Sequence, residues 1–288
     1  MEVILVKPQG YCAGVTNAIR IAYLAKSENP DKRIFVLGAL VHNQTVIDEL
    51  KHNGIETLEY SDNVEAIKRL NKGNVLIFTA HGHDERLDDI AKDRGLIIYD
   101  ATCPKVRDNM NKIKREIEAN HQVIYIGQNG HKETNAALSI SNNVSLYDTK
   151  LLINYQFITD KSPLVINQTT LNFFSLNAIH DDIKRHIPEA RIENEVCAAS
   201  RLRQAAVANI DQDTDLIIIV GDKMSSNSLK LFDIAKEDFN NSMVIMVHDL
   251  FDLKNNYNID NKKKAAISSG ASTPNEVVEE IYKYLLSK

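Results

Sequence analysis

The sequence predicts an α/β protein built of three small lobes. Two observations predict it: short β-branched runs alternate with amphipathic helical stretches, and three cysteines divide the chain evenly. Cys12 and Cys103 lie 91 residues apart, Cys103 and Cys197 lie 94 apart, and 91 residues follow Cys197. Strands are expected at Val3–Lys7, Ile34–Leu37, Val75–Thr79, Leu96–Tyr99, Val123–Ile126, Leu164–Asn167, Leu216–Val220, Met243–Val247 and Ala265–Ser268. Such runs are continuous rather than alternating, which suits parallel or mixed sheets covered on both faces. Helical patterns fall between them, at Ala13–Ala25, Val46–His52, Val106–Asn120, Leu176–His186, Arg201–Ile210, Ser228–Asp238 and Pro274–Leu286. Each cysteine opens a block and is followed at once by a helix. The lobes are therefore expected at residues 1–97, 98–193 and 194–288. The stretch from Lys254 to Lys264, rich in Asn, Asp and Lys, reads as a solvated loop.

Composition narrows the function. The 288 residues are 43% hydrophobic and 25% charged, with a net charge of −5. That balance carries no basic footprint for nucleic acid. No run approaches the ~18 apolar residues of a membrane span. The opening Met-Glu-Val-Ile-Leu-Val enters a strand pattern and is not a secretory signal. A cytoplasmic protein is expected, bacterial, or a plastid form shorn of its presequence. Three is an odd cysteine count, unsuited to disulfides in a reducing compartment. Buried structural thiols are the bland alternative, because free Cys behaves as a small core hydrophobe.

The polar motifs share one topological place. Ligands of open parallel sheets bind beyond the carboxyl ends of the strands, where the next helix offers unpaired N–H groups and its positive dipole end. Phe78-Thr79-Ala80-His81-Gly82, Gly127-Gln128-Asn129-Gly130-His131-Lys132-Glu133, Asn167-Gln168-Thr169-Thr170, Gly221-Asp222-Lys223-Met224-Ser225-Ser226-Asn227 and Ser268-Ser269-Gly270-Ala271-Ser272 all follow predicted strands. Lobes facing one centre would gather them around one anion pocket. A cysteine at a helix start tends towards thiolate, a soft ligand for iron–sulfur clusters. Three thiolates would leave one iron of a four-iron cube open, as a Lewis-acid site needs. A zinc ion on the three cysteines is a further option, although no closely spaced cysteine pair is present.

His42, His81 and His131 are candidate donors to phosphate oxygens. The other histidines, His52, His83, His121, His180, His186 and His248, are assigned to surface or packing. Glu133 reads either as a first-turn helix residue or as a proton donor. Ser225-Ser226-Asn227 reads as a helix N-cap run, which is compatible with phosphate binding at the same helix end. Thr169 and Ser272 share that double reading.

In order along the chain, Gly10-Tyr11-Cys12-Ala13-Gly14-Val15, Val41-His42-Asn43, Ala80-His81-Gly82, Asp100-Ala101-Thr102-Cys103-Pro104, Gly130-His131-Lys132-Glu133, Gln168-Thr169-Thr170-Leu171, Cys197, Ser225-Ser226-Asn227-Ser228 and Gly270-Ala271-Ser272-Thr273-Pro274 together resemble the 4-hydroxy-3-methylbut-2-enyl diphosphate reductase family, known as LytB or IspH. The resemblance implies three lobes around a pseudo-threefold axis with a central 4Fe–4S cluster. Cys12, Cys103 and Cys197 would be its ligands, with the fourth iron open to substrate. It implies substrate contacts from His42, His81, His131, Thr169, Ser225, Ser226, Asn227 and Ser272, and proton delivery by Glu133. The implied reaction ends the non-mevalonate route to isoprenoids. A two-electron reductive dehydroxylation of 4-hydroxy-3-methylbut-2-enyl diphosphate would yield isopentenyl and dimethylallyl diphosphate, with electrons from a ferredoxin or flavodoxin. A monomer is expected. The sequence departs from the family's habit at Pro8-Gln9-Gly10-Tyr11 and at Ala198-Ala199-Ser200-Arg201-Leu202-Arg203-Gln204. The rivals from other classes are a phosphometabolite-binding protein with structural cysteines and a cysteine-nucleophile transferase.

Overall fold

A computed structural model describes residues 1–149 and 154–288 of the chain. The described residues form three four-stranded sheets in which every pairing is parallel. The α/β expectation therefore holds, in its parallel form. Among the described residues no helix is long and apolar enough to cross a membrane.

One compact unit comprises Met1–Ala13, His42–Thr45 and Cys197–Lys288. Its strands are Glu2–Leu5 (β1), Leu216–Val220 (β10), Met243–Val247 (β11) and Lys264–Ser269 (β12), arranged β1-β12-β10-β11. The fully buried strand Leu216-Ile217-Ile218-Ile219-Val220 shows why the sheet needs cover on both faces. Ile217 and Ile219 enter one core with Val207, Leu231 and Ile234, which come from Ala198–Ala208 (α8) and Ser226–Asp238 (α9). Leu216, Ile218 and Val220 enter the other with Leu253, Val278 and Ile281, from Leu250–Asn256 (α10) and Asn275–Leu286 (α11). That division is the period-two alternation of a strand.

The second unit comprises Gly14–Val41 and Val46–Val196. One of its sheets is ordered β3-β2-β4-β5, from Ile34–Leu37 (β2), Ile55–Leu58 (β3), Val75–Phe78 (β4) and Ile97–Asp100 (β5). The other is ordered β7-β6-β8-β9, from Val123–Gly127 (β6), Val144–Asp148 (β7), Leu164–Asn167 (β8) and Arg191–Ile192 (β9). In β6, Val123 and Tyr125 pack with Val106, Ile113 and Ala136 of Pro104–Glu118 (α5) and Lys132–Ser139 (α6). Ile124 and Ile126 pack on the opposite side with Leu176 and Ile183 of Leu176–His186 (α7).

Two expectations change. β1 does not join the sheet of the first block; it pairs with β12, Val3 opposite Ala265 and Leu5 opposite Ile267. Residues 1–97 are thus not one sheet's worth of chain, because the open edge of β12 lies at the other end of the sequence. The stretch from Lys254 is not wholly loop. Asp249 caps α10 by accepting the Asp252 N–H, which carries the helix to Asn256. The sequence pattern also passes over β3, β7 and β9, over Asn63–Lys68 (α3) and Arg86–Asp93 (α4), and over α6. The three strands are short or partly exposed, and α6 has the unusual N-cap His131.

Candidate functional site

In the first unit the parallel sheet brings the carboxyl ends of β1, β10 and β12 to one edge. Cys12 follows β1, its N–H donating to the Ala271 carbonyl at 3.0 Å, and Ala13–Glu28 (α1) begins at the next residue. Cys197 is the N-cap of α8; its sulfur accepts the Ser200 N–H at 3.4 Å and lies 3.2 Å from Ser200 Oγ. Ser225 is the N-cap of α9, its hydroxyl accepting the Ser228 N–H at 3.3 Å. Ser226 and Asn227 occupy the first turn, and all three are buried. Glycine is required behind them: a Cβ at Gly221 or Gly270 would stand 2.3 or 2.1 Å from Ser228 Oγ. The start of α9 is pressed directly onto the strand ends. Ser272 donates to the His42 carbonyl at 3.0 Å, fixing the His42 segment to this unit.

Asn227 stands apart from its neighbours. Both Oδ1 and Nδ2 are buried and have no partner among the described residues. Leaving such groups unpaired costs stability, and at a helix N-terminus an anionic ligand is the natural complement.

In the second unit Cys103 is the N-cap of α5, followed by Pro104 at the position where a missing N–H costs nothing. Its N–H donates to the Ala80 carbonyl at 3.0 Å, which ties the β4 and β5 ends together. His81 lies beside Thr79, Nδ1 3.3 Å from the hydroxyl, and its ring is 6.1 Å from that of His131, edge on. His131 caps α6, Nδ1 accepting the Glu133 N–H at 3.2 Å. An accepting Nδ1 places the proton of the neutral ring on Nε2, as a donor.

Glu133 is 2% exposed and fully hydrogen-bonded. Oε1 accepts from the Thr169 N–H at 2.8 Å and from the Tyr125 hydroxyl at 3.1 Å; Oε2 accepts from Thr169 Oγ1 at 2.8 Å. Burial pushes the carboxyl up to about 7, against the downward pull of Thr169 and Tyr125. Desolvation outweighs three donors, so near neutral pH the group is divided between its protonated and ionised forms. The carboxyls of the neighbouring motifs, Asp100 and Asp222, have structural work. Asp100 accepts the Thr102 N–H and pairs with Arg107 at 2.8 Å, and Asp222 accepts the Met224 N–H at 2.7 Å.

The LytB protein family model matches residues 3–286. The chain belongs to the LytB family. It is 35% identical over 289 residues to the 4-hydroxy-3-methylbut-2-enyl diphosphate reductase of Macrococcus caseolyticus, covering 99% of this chain and 89% of that protein. The enzyme of the same name from a Geobacillus species is 36% identical over 287 residues, 99% of this chain and 90% of the relative. Among solved structures, the E-1-hydroxy-2-methyl-but-2-enyl-4-diphosphate reductase of Plasmodium falciparum superposes with a TM-score of 0.85 at 26% identity, over 99% of this chain and 87% of that one.

Within this LytB chain, the motif residues divide between the units. Cys12, His42, Cys197, Ser225, Ser226, Asn227 and Ser272 belong to the first, and His81, Cys103, His131, Glu133 and Thr169 to the second. Among the described residues no group of three or more His, Cys, Asp or Glu side chains converges on one metal-ion position. Of the histidines assigned to packing, His83 stacks on Phe78 and bonds Asp88, and His121 bonds Asp160.

Two residues escaped the sequence reading. Tyr125 is a lone aromatic inside an aliphatic strand, which was the only available signal. Arg203 was visible only as part of a departure from the family pattern. It is 3% exposed, and burial lowers its pKa while the charges of Cys12 and Cys197 oppose that shift. At the other departure, Gln9 donates to the Ile267 carbonyl at 2.8 Å, a purely structural role at the β12 edge.

Proposed function

We propose that this chain is a 4-hydroxy-3-methylbut-2-enyl diphosphate reductase with a 4Fe–4S cluster on Cys12, Cys103 and Cys197 and one iron open to substrate. The reading extends to three lobes grouped about that cluster, a cytoplasmic monomer, and a ferredoxin or flavodoxin as electron donor. It rests on one observation above the others. In a chain similar over 99% of its length to enzymes of that name, each of the three cysteines stands at the start of a helix. The donor set fits a cluster: three half-buried thiols, soft ligands for iron, each stand at a helix N-terminus, and the buried cation Arg203 has no carboxylate partner among its contacts. When bound, the cluster supplies electrons and Lewis acidity.

The chain's own residues do the rest. The N-terminus of α9, with Ser225, Ser226 and Asn227, takes the diphosphate, joined by Ser272 and by donors from His42, His81 and His131. Glu133 holds a proton that Thr169 Oγ1, 2.8 Å from Oε2, can relay towards the substrate. The balance is two electrons and two protons taken up, the allylic C–O bond broken, a C–H bond formed and water released. Protein prepared without oxygen should contain iron and sulfide, show a 4Fe–4S signal by electron paramagnetic resonance after reduction, and turn over this substrate with reduced methyl viologen. Cys12→Ser, Cys103→Ser and Cys197→Ser should each lose the stable cluster. A full cluster in any one of them overturns the assignment.

A further inference from the structure

Arg203 has no role in the reaction as described, yet it is placed as a functional group is placed. It lies on α8, six residues beyond Cys197. Nη2 donates to the Gly10 carbonyl at 2.7 Å, two residues before Cys12, and Nη1 donates to the Ala199 carbonyl at 3.1 Å, two residues after Cys197. Nε is buried without a partner. Both acceptors are neutral, and among the described residues no acid side chain pairs with it. A buried cation without a counter-charge is costly. The ionisable groups that its field reaches are the thiols of Cys12 and Cys197.

We propose that Arg203 is a positioning residue that clamps the Cys12 turn to the Cys197 helix and whose fixed positive charge raises the reduction potential of the cluster. The inference rests on the reading of Cys12, Cys103 and Cys197 as cluster ligands. A thiolate-bound cluster is the missing counter-charge. An electron added to it gains from a nearby cation, and cluster potentials follow net charge, hydrogen bonding and solvent exposure. The guanidinium is suited to this place because it stays charged in a dry site and its planar fork can hold two carbonyls at once.

The test compares the anaerobically reconstituted parent with R203Q and R203K, in redox titrations followed by electron paramagnetic resonance. Circular dichroism and melting temperature establish folding. R203Q removes the charge and should shift the one-electron equilibrium at least tenfold towards the oxidised cluster, about 59 mV lower. R203K keeps the charge and should stay near the parent. A folded R203Q that loads no cluster while R203K loads one also supports the proposal. An R203Q potential equal to the parent's overturns it. So does an R203K that falls as far as R203Q, or fails to load with it, since the effect then does not follow the charge. A parent protein without iron and sulfide overturns this inference and the cluster reading together, whereas unchanged potentials in loaded variants overturn this inference alone.

Discussion

Glu133 and Asn227 are buried to a similar degree, 2% and 6% exposed, but their surroundings are opposite. Glu133 is met by three donors on its two oxygens. Asn227 is met by none on either end of its amide. The difference separates two kinds of functional burial. A saturated shell holds a group in one orientation and sets its proton affinity, so the group is ready before substrate arrives. An unsatisfied shell is a deficit that a ligand can remove, so its free energy appears as binding.

The sharpest way to break the comparison is Glu133→Gln. It keeps the shape but carries no transferable proton. Turnover should fall by on the order of 10²-fold or more, with the cluster and substrate affinity retained; near-parental turnover would remove Glu133 from the mechanism. The same variant checks the shell through stability. Glu133 titrates near 4.5 ordinarily and near 7 in the fold. Between those values the folded state keeps a proton that the unfolded state has lost. The contribution is therefore complete below about 4.5 and disappears as pH rises through 7, amounting to about 3 kcal/mol. Thermal melts of the parent should decline relative to Glu133→Gln across that window.

Asn227→Ala tests the unsatisfied side. Diphosphate binding, read by calorimetry, should weaken by about 1.5–3 kcal/mol, the scale of a hydrogen bond to a charged group. The ligand-free protein should melt within roughly 1 kcal/mol of the parent, because the lost amide had no partner to lose. Unchanged affinity would mean that the amide's partner is not the substrate.

The smallest effect is expected from Tyr125→Phe, which removes one donor of three. Hydrogen bonds to the charged form lower a carboxyl's pKa, so the titration of Glu133 should move up by about one unit or less. Carbon-13 spectra of labelled Glu, assigned against Glu133→Gln, give that value directly. The high-pH limb of turnover should move in the same direction. An unmoved titration would leave Thr169 and burial as the whole of the shell.

Legibility followed the range of the interactions. β8, β10 and β11 end where the sequence pattern ends them, because each is a largely buried aliphatic run closed by polar residues, and β2 ends as expected before Gly38. The sequence shows α6 only as part of a polar turn, since a histidine cap is a weaker signal than Ser, Thr or Asp. Glu133 is legible beside His131 as a polar residue at a strand end, whereas its burial and its contact with Thr169 come only from the fold. Tyr125 could not be tied to Glu133 from sequence alone, because only the strand–helix packing of β6 and α6 brings the two together.

The sequence by itself determined the α/β alternation, the polar turns at the strand ends and the rule that each cysteine precedes a helix. These depend on local periodicity and on helix-start chemistry, which act over a few residues. Only the tertiary structure decided that β1 completes the sheet of β10, β11 and β12, that Arg203 faces the Cys12 turn, and that Glu133 is saturated while Asn227 is not. Strand pairing and burial depend on which distant segment covers an edge or a polar atom, and no local pattern contains that partner.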